Sequence, residues 1–405
     1  MKKIIYSVIL FTLFYYTGFA QWTSLTSGTT NALNSVYFTT TNIGYVVGNA
    51  GIILKTNDGG NNWTELTSGM TEDLFSVYFP STDTGYVVGN TGTILKTIDG
   101  GINWIQQISG TIRRLWSVNF TNNNTGFAAG ENGTIIKTIN GGINWTQLSS
   151  GTTYDLFSIF FVDSIIGYTT GSGGNSIFKK TINGGLEWIS QQNVNGYSVY
   201  FIDTNNGFAV SDGGNIYKTV NGGTDWIYQN SYTGTMIRLW SVFFLDINRG
   251  YAVGGGWNGA IVGTIVKTID GGSNWEIQTS GTSNILHSVY FTSIDTGYAV
   301  GEQGTILKTI NGGISVIKNT DISETNRIII SPNPIIDLFT IEINNMFNSP
   351  INSTITISDI SGRQILNKII NSNKAQLDIG NLISGIYLVK IENEIGSFTN
   401  IIIKY

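Results

Sequence analysis

One segment, Lys55-Thr56-Asn57-Asp58-Gly59-Gly60-Asn61-Asn62-Trp63, returns in near copies along most of the chain. The copies occupy residues 96–104, 137–145, 180–188, 218–226, 267–275 and 308–316, the last with Val316 in place of the tryptophan. A period of roughly forty residues is that of propeller blades and other stacked arrays, in which each unit buries its apolar face only against its neighbours. Ahead of each box stand β-branched and apolar residues (Ile52-Ile53-Leu54, Thr93-Ile94-Leu95, Thr134-Ile135-Ile136), and Trp63-Thr64-Glu65-Leu66 behind it reads as another strand. The box is therefore expected to be a hairpin turn. Asp58, Asp99 and Asp270, or Asn140, Asn183, Asn221 and Asn311, would accept bonds from nearby backbone N–H groups, and the paired glycines would take the left-handed positions. The competing reading is a row of metal- or substrate-binding carboxylates. Asparagine in four of the seven copies favours the structural turn, with the tryptophan packed between sheets.

Each unit contains four short strands. The inner one begins with serine, at Ser35, Ser76, Ser117, Ser158, Ser198, Ser241 and Ser288, as in Ser35-Val36-Tyr37-Phe38, and is followed by a second strand such as Gly44-Tyr45-Val46-Val47-Gly48. Seven copies predict a seven-bladed β-propeller in an all-β chain. Gln21-Trp22-Thr23-Ser24-Leu25-Thr26-Ser27-Gly28 matches Asn62-Trp63-Thr64-Glu65-Leu66-Thr67-Ser68-Gly69, so the repeat region opens with a lone fourth strand. Trp22 is expected to complete the seventh blade and close the ring. The alternative is that residues 314–317 supply that strand.

The box resembles the Asp-box of the bacterial neuraminidase repeat. The fuller pattern from Gly85-Tyr86-Val87-Val88-Gly89 through Trp104 resembles the photosystem II stability and assembly factor propellers, over about residues 21–315. That resemblance implies a propeller that binds protein partners without chemistry, with Arg113, Arg114 and Arg238 as contacts. The sialidase resemblance would imply an arginine triad, a tyrosine nucleophile with a glutamate, and an aspartate acid/base. The repeats hold only Arg113, Arg114, Arg238 and Arg249, and lack the Phe/Tyr-Arg-Ile-Pro motif.

Blade geometry puts the boxes on one face and the entries to the inner strands on the other, where binding loops are usually found. The residues just before the inner-strand serines are Asn34, Phe75, Trp116, Phe157, Tyr197, Trp240 and His287. With Arg114, Arg238, Asp73, Asp155 and Trp257, which lies in an insertion at 254–263, they form a candidate rim for stacking on a sugar or clamping a peptide. The bland reading is that the aromatics fill gaps between blades. His287 is the only histidine and no Gly-x-Ser-x-Gly elbow is present, so a serine triad has no support. Carboxylate pairs for glycoside hydrolysis would have to come from Asp73, Glu131, Asp155, Asp212 or Glu302.

Composition narrows the partners. Charged residues are 12% and the net charge is −5, which leaves no basic face for nucleic acid. The chain has no cysteine, so disulfides and thiolate sites are excluded; no cofactor or metal is expected, and a hard cation would find only oxygen ligands. Lys2-Lys3, the apolar run over 4–16 and Gly18-Phe19-Ala20 predict a signal peptide over 1–20 rather than a membrane span. The propeller is expected over 21–315 and a polar linker over 316–327. A small immunoglobulin-like β-sandwich is expected over 328–405. Ser331-Pro332-Asn333-Pro334, 354–363 and 382–391 resemble the type A C-terminal sorting domain of the type IX secretion system. That resemblance implies contact with the secretion machinery and delivery to the outer surface or the medium. The functional expectation is a secreted or cell-surface, non-enzymatic propeller that binds a protein or glycan, with a sialidase-like or other glycoside hydrolase as the alternative.

Overall fold

In each repeat the Ser-Val/Ile-x-Phe segment folds as the inner strand of a four-stranded antiparallel sheet, followed outward by the Gly-Tyr/Phe strand, the strand entering the box and the strand after the tryptophan. The computed structural model describes residues 21–173, 177–191, 194–229, 237–256, 263–313, 327–331, 335–344, 353–359, 362–372, 374–392 and 397–404. The expected signal peptide and nearly all of the expected linker lie outside these residues.

Seven such sheets are present among the described residues. Blade 1 comprises Leu33–Phe38, Gly44–Gly48, Ile53–Thr56 and Thr64–Leu66, and blades 2 to 6 repeat the order with inner strands starting at Leu74, Leu115, Asp155, Ser198 and Ile237. Blade 7 takes its inner three strands, Leu286–Phe291, Gly297–Gly301 and Ile306–Thr309, from the end of the array. Its outer strand, Thr23–Leu25, comes from the start, with Thr23, Ser24 and Leu25 opposite Lys308, Leu307 and Ile306. The ring therefore closes through the first strand, and residues 314–317, the alternative, lie outside the described residues.

One aromatic unit joins each blade to the next. The second-strand ring stacks on the inner-strand phenylalanine of the following blade, as Tyr45 on Phe79 at 4.0 Å and Phe127 on Phe161 at 3.6 Å. The box tryptophan meets the same phenylalanine edge-on, as Trp104 does Phe79 at 6.0 Å. At the closure Tyr251 stacks on Phe291 at 3.8 Å, and Trp22 supplies the edge-on partner at 5.8 Å. Trp22 is 1% exposed, so the N-terminal strand is built into the core rather than laid on it. Burial on this scale stabilises by roughly 25 cal/mol per Å² of apolar surface.

Polar bonds run round the same circle. Lys55 Nζ and the Tyr45 hydroxyl both donate to the Gly100 carbonyl in the next box, each at 2.7 Å. The pattern continues through Lys96, Lys137, Lys180, Lys218 and Lys267, and Lys308 closes it on Gly59. Within a box, Asp58 accepts from the Thr56 hydroxyl, the Asn62 N–H and the Asn62 side chain at 2.7–2.9 Å. These bonds hold its carboxyl down at about 2, the Asn62 side chain first among them. The Asx oxygen is occupied by its own turn, as a structural box requires.

The chain divides into two units, Met1–Val316 and Ile317–Tyr405. In the second, Arg327–Ser331, Leu338–Asn344 and Lys374–Asp378 form one sheet. Gln364–Ile370, Ser353–Asp359, Gly385–Glu392 and Ser397–Lys404 form the other. Phe339, Ile341, Ile355, Ile357, Leu377, Val389 and Ile402 are buried in one shared core. Among the described residues no helix is long and apolar enough to cross a membrane.

Candidate ligand-binding site at the axial mouth

The rim residues owe their direction to a β-bulge. In six blades the register between first and second strands slips at one residue, and the slipped residues are Asn34, Phe75, Trp116, Phe157, Trp240 and His287. An extra residue leaves the ladder and is re-aimed, here to the mouth of the axis. The glycine ending the second strand permits it, because a Cβ on Gly130 would overlap the Arg114 carbonyl oxygen. Blade 5 has no such slip: its inner strand begins at Ser198, and Tyr197 is tied by its N–H to the Val210 carbonyl at 2.8 Å.

The rings form an unbroken arc. Centroid distances are 4.4 Å from Phe75 to Trp116, 5.7 Å to Phe157, 5.2 Å to Tyr197, 4.5 Å to Trp240 and 6.1 Å to His287. Asn34 fills the remaining gap, facing His287 Nδ1 at 3.2 Å and donating to the Leu74 carbonyl at 2.8 Å. Together they wall a cavity of about 530 Å³, within the range of small-ligand sites. Trp116 and Trp240 are partly buried.

Charged groups are fixed around this wall. The Arg114 guanidinium lies 4.8 Å over Trp116, and its Nε donates to Asn90 Oδ1 at 2.7 Å. Asn90 in turn donates to Asp73 at 3.2 Å, and Asp73 also accepts the Ala50 N–H at 3.0 Å. Arg238 stacks over Tyr197 and Trp240 at 4.7 and 4.9 Å while its Nε bonds Asp212 at 2.6 Å. Glu302 lies 3.2 Å from His287 Nε2, a bond that holds its carboxyl below the usual range. Asp155 accepts the Asn132 N–H at 3.0 Å, and Glu131 faces the Arg114 N–H at 3.4 Å.

The structure thus gathers Phe75, Arg114, Trp116, Phe157, Tyr197, Trp240 and His287 on one cavity, with Arg238 stacked against two of the rings. Trp257 lies outside the described residues. The acids proposed for hydrolysis are each engaged by a neighbouring turn or cation. Glu302 is displaced in the direction opposite to that of a proton donor. Among the described residues, no three histidine or carboxylate groups gather where a metal ion could be held.

Sequence reasoning missed the floor. All seven inner-strand serines line the cavity. Each Oγ accepts an N–H from the next blade, as Ser35 does from Val77 at 3.3 Å and Ser117 from Ile159 at 3.2 Å, and Ser288 closes the circle on Val36. Beyond the serines, Tyr37, Tyr78, Phe160, Tyr200, Phe243 and Tyr290 face the axis, with neighbouring rings 5.0–5.3 Å apart. Burial raises the Tyr200 and Tyr290 hydroxyls to about 12, so this girdle is neutral. The missed signal was a serine in the same register of every repeat, read only as strand.

A family described as photosynthesis system II assembly factor YCF48 matches residues 16–109 and 62–155. The solved structure of YCF48 bound to D1 peptide superposes with a TM-score of 0.62 at 20% identity, covering 72% of this chain and 96% of that one. The propeller is similar to YCF48. A second structure, YCF48 from Cyanidioschyzon merolae, gives 0.60 at 24% identity over 72% of this chain and 99% of that one. The Niastella koreensis GH74 enzyme gives 0.59 at 14% identity, over 80% of this chain and 59% of that one. At these identities the likeness to YCF48 and GH74 is one of fold. A family described as secretion system C-terminal sorting domain matches residues 329–405. That match implies type IX export, and with it a secreted or cell-surface protein. No curated protein matches the chain.

Proposed function

We propose that this protein is an exported binding propeller without chemistry of its own, which takes a glycan or a protein segment into its axial mouth. Export begins with a signal peptide over 1–20 and is completed through the sorting domain over 328–405. The observation that carries the binding reading is the arc from Phe75 to His287, in which every ring but the buried Tyr197 is half-buried and all of them line one cavity. Aromatic faces offer stacking area at little entropic cost. A similar propeller, YCF48, has been captured with a D1 peptide, so this architecture can hold a protein segment. The hydrolase reading draws no support from Glu302, whose carboxyl is held below the usual range by its bond to His287.

The test is an array of glycans and extracellular proteins probed with residues 21–405, alongside the double variant Trp116→Ala/Trp240→Ala. Binding lost in the variant, with unfolding shifted by no more than about 2 kcal/mol, supports the reading. A large loss of stability with ligand binding retained would make the rings packing elements. Turnover of any polysaccharide or sialoside would restore the hydrolase.

A further inference from the structure

The floor of the mouth narrows the ligand class, on the premise that the mouth is a binding site. Each floor serine uses its oxygen as an acceptor for the next blade's N–H. Among the described residues none of these hydroxyls donates to a protein acceptor. A hydroxyl has one proton to give, so the base of the cavity presents a circle of donors. Arg114 adds a cation at the wall. Its Nε is held by Asn90, and among the described residues no carboxylate lies within ion-pair distance of it. The two carboxylates that also line the cavity are already answered, Asp73 by the Ala50 N–H and Asn90, and Glu302 by His287. Donors without acceptors, beside a cation without an anion, suit an oxyanion.

The backbone argues against a peptide. Strand addition needs open N–H and C=O groups along an edge. Here part of the inner edge is taken: a serine covers one N–H in each blade, Asn34 covers the Leu74 carbonyl, and Tyr37 and Tyr290 cover the carbonyls of Phe79 and Phe38. Ring faces and hydroxyl protons line the mouth beside them, the groups that meet a sugar ring and its substituents.

We propose that the axial mouth binds an acidic saccharide end-on, with the sugar carboxylate seated on the serine floor beside Arg114 and the sugar rings against Trp116 and Phe157. The test is calorimetric titration of residues 21–405 with trigalacturonate, its methyl ester, a neutral trigalactoside, and a tripeptide in free-acid and amide forms. Esterification changes the ligand and leaves the fold untouched. The acid is expected to bind at least about tenfold more tightly than its ester, as loss of a charge-assisted bond predicts. Arg114→Gln is expected to remove most of that difference, and a difference that survives the substitution would overturn the seating of the carboxylate beside Arg114. Equal binding of acid and ester would overturn the proposal while leaving the mouth a binding site. Tighter binding of the free-acid tripeptide would overturn the saccharide assignment. No heat from any of the saccharides would also overturn it, and an empty array with it would remove the binding reading as well.

Discussion

Asp58 and Asp99 show how one side chain ties the acid stability of the whole protein to its turns. Both accept bonds from their own box, and both carboxyls are held down at about 2, Asp58 chiefly by the Asn62 side chain and Asp99 chiefly by the Asn103 N–H. Folding therefore favours the ionised form. The stabilisation is complete above the ordinary value of 3.8 and is lost as pH falls through the folded value. Asn140 makes the same turn without a titratable group, its oxygen accepting the Asn144 N–H at 3.0 Å, whereas the Asn183 and Asn221 side chains donate to Glu187 and Asp225 of their own boxes. The variant Asp58→Asn/Asp99→Asn is expected to have a lower thermal midpoint at pH 7, because the Asn62 and Asn103 side chains lose their carboxylate acceptors, and to lose less of it between about pH 4 and pH 2. Thermal scans across that range check this; an unchanged acid slope would show that other carboxylates govern it.

The bulge is the element that separates scaffold from site. Its geometry needs a residue without Cβ opposite, so Gly130→Ala is expected to cost about 1–3 kcal/mol by overpacking. It should also weaken ligand binding, because Arg114 and Trp116 ride on the displaced segment. Urea denaturation and titration of one preparation read both effects, and loss of stability with intact affinity would detach the bulge from the site. Much of this was legible in the sequence. The box spelled its own turn, the repeat spelled four strands, and the residue before each serine spelled the rim. The slip itself was not legible, because Leu115-Trp116-Ser117 reads as an unbroken strand until the second strand is laid against it. The serine floor and the lysine circle escaped for a related reason. Ser35 and Lys55 act on the neighbouring blade, at Val77 and Gly100, so their roles exist only once the sheets stand side by side.

At the scale of the whole molecule, the decisive contact joins residues 23–25 to residues 306–308. Trp22→Ala removes the edge-on partner of Phe291 and is expected to cost about 3–5 kcal/mol. Deleting residues 21–28 should do more, broadening the denaturation transition as blade 7 loses its outer strand; a sharp, unshifted transition would contradict this closure. A chain lacking 328–405 is expected to accumulate in the periplasm, which fractionation of cells expressing it would show, and normal delivery would contradict export through the tail. The clasp has a further consequence for biogenesis. Translation delivers the sealing strand long before its partner, so a ribosome that stops ahead of residue 306 releases an arc with raw borders at both ends, exposed to proteases and to pairing with other chains. Only a chain that reaches Lys308 can hide them, which makes the join a built-in check that all seven blades have been made.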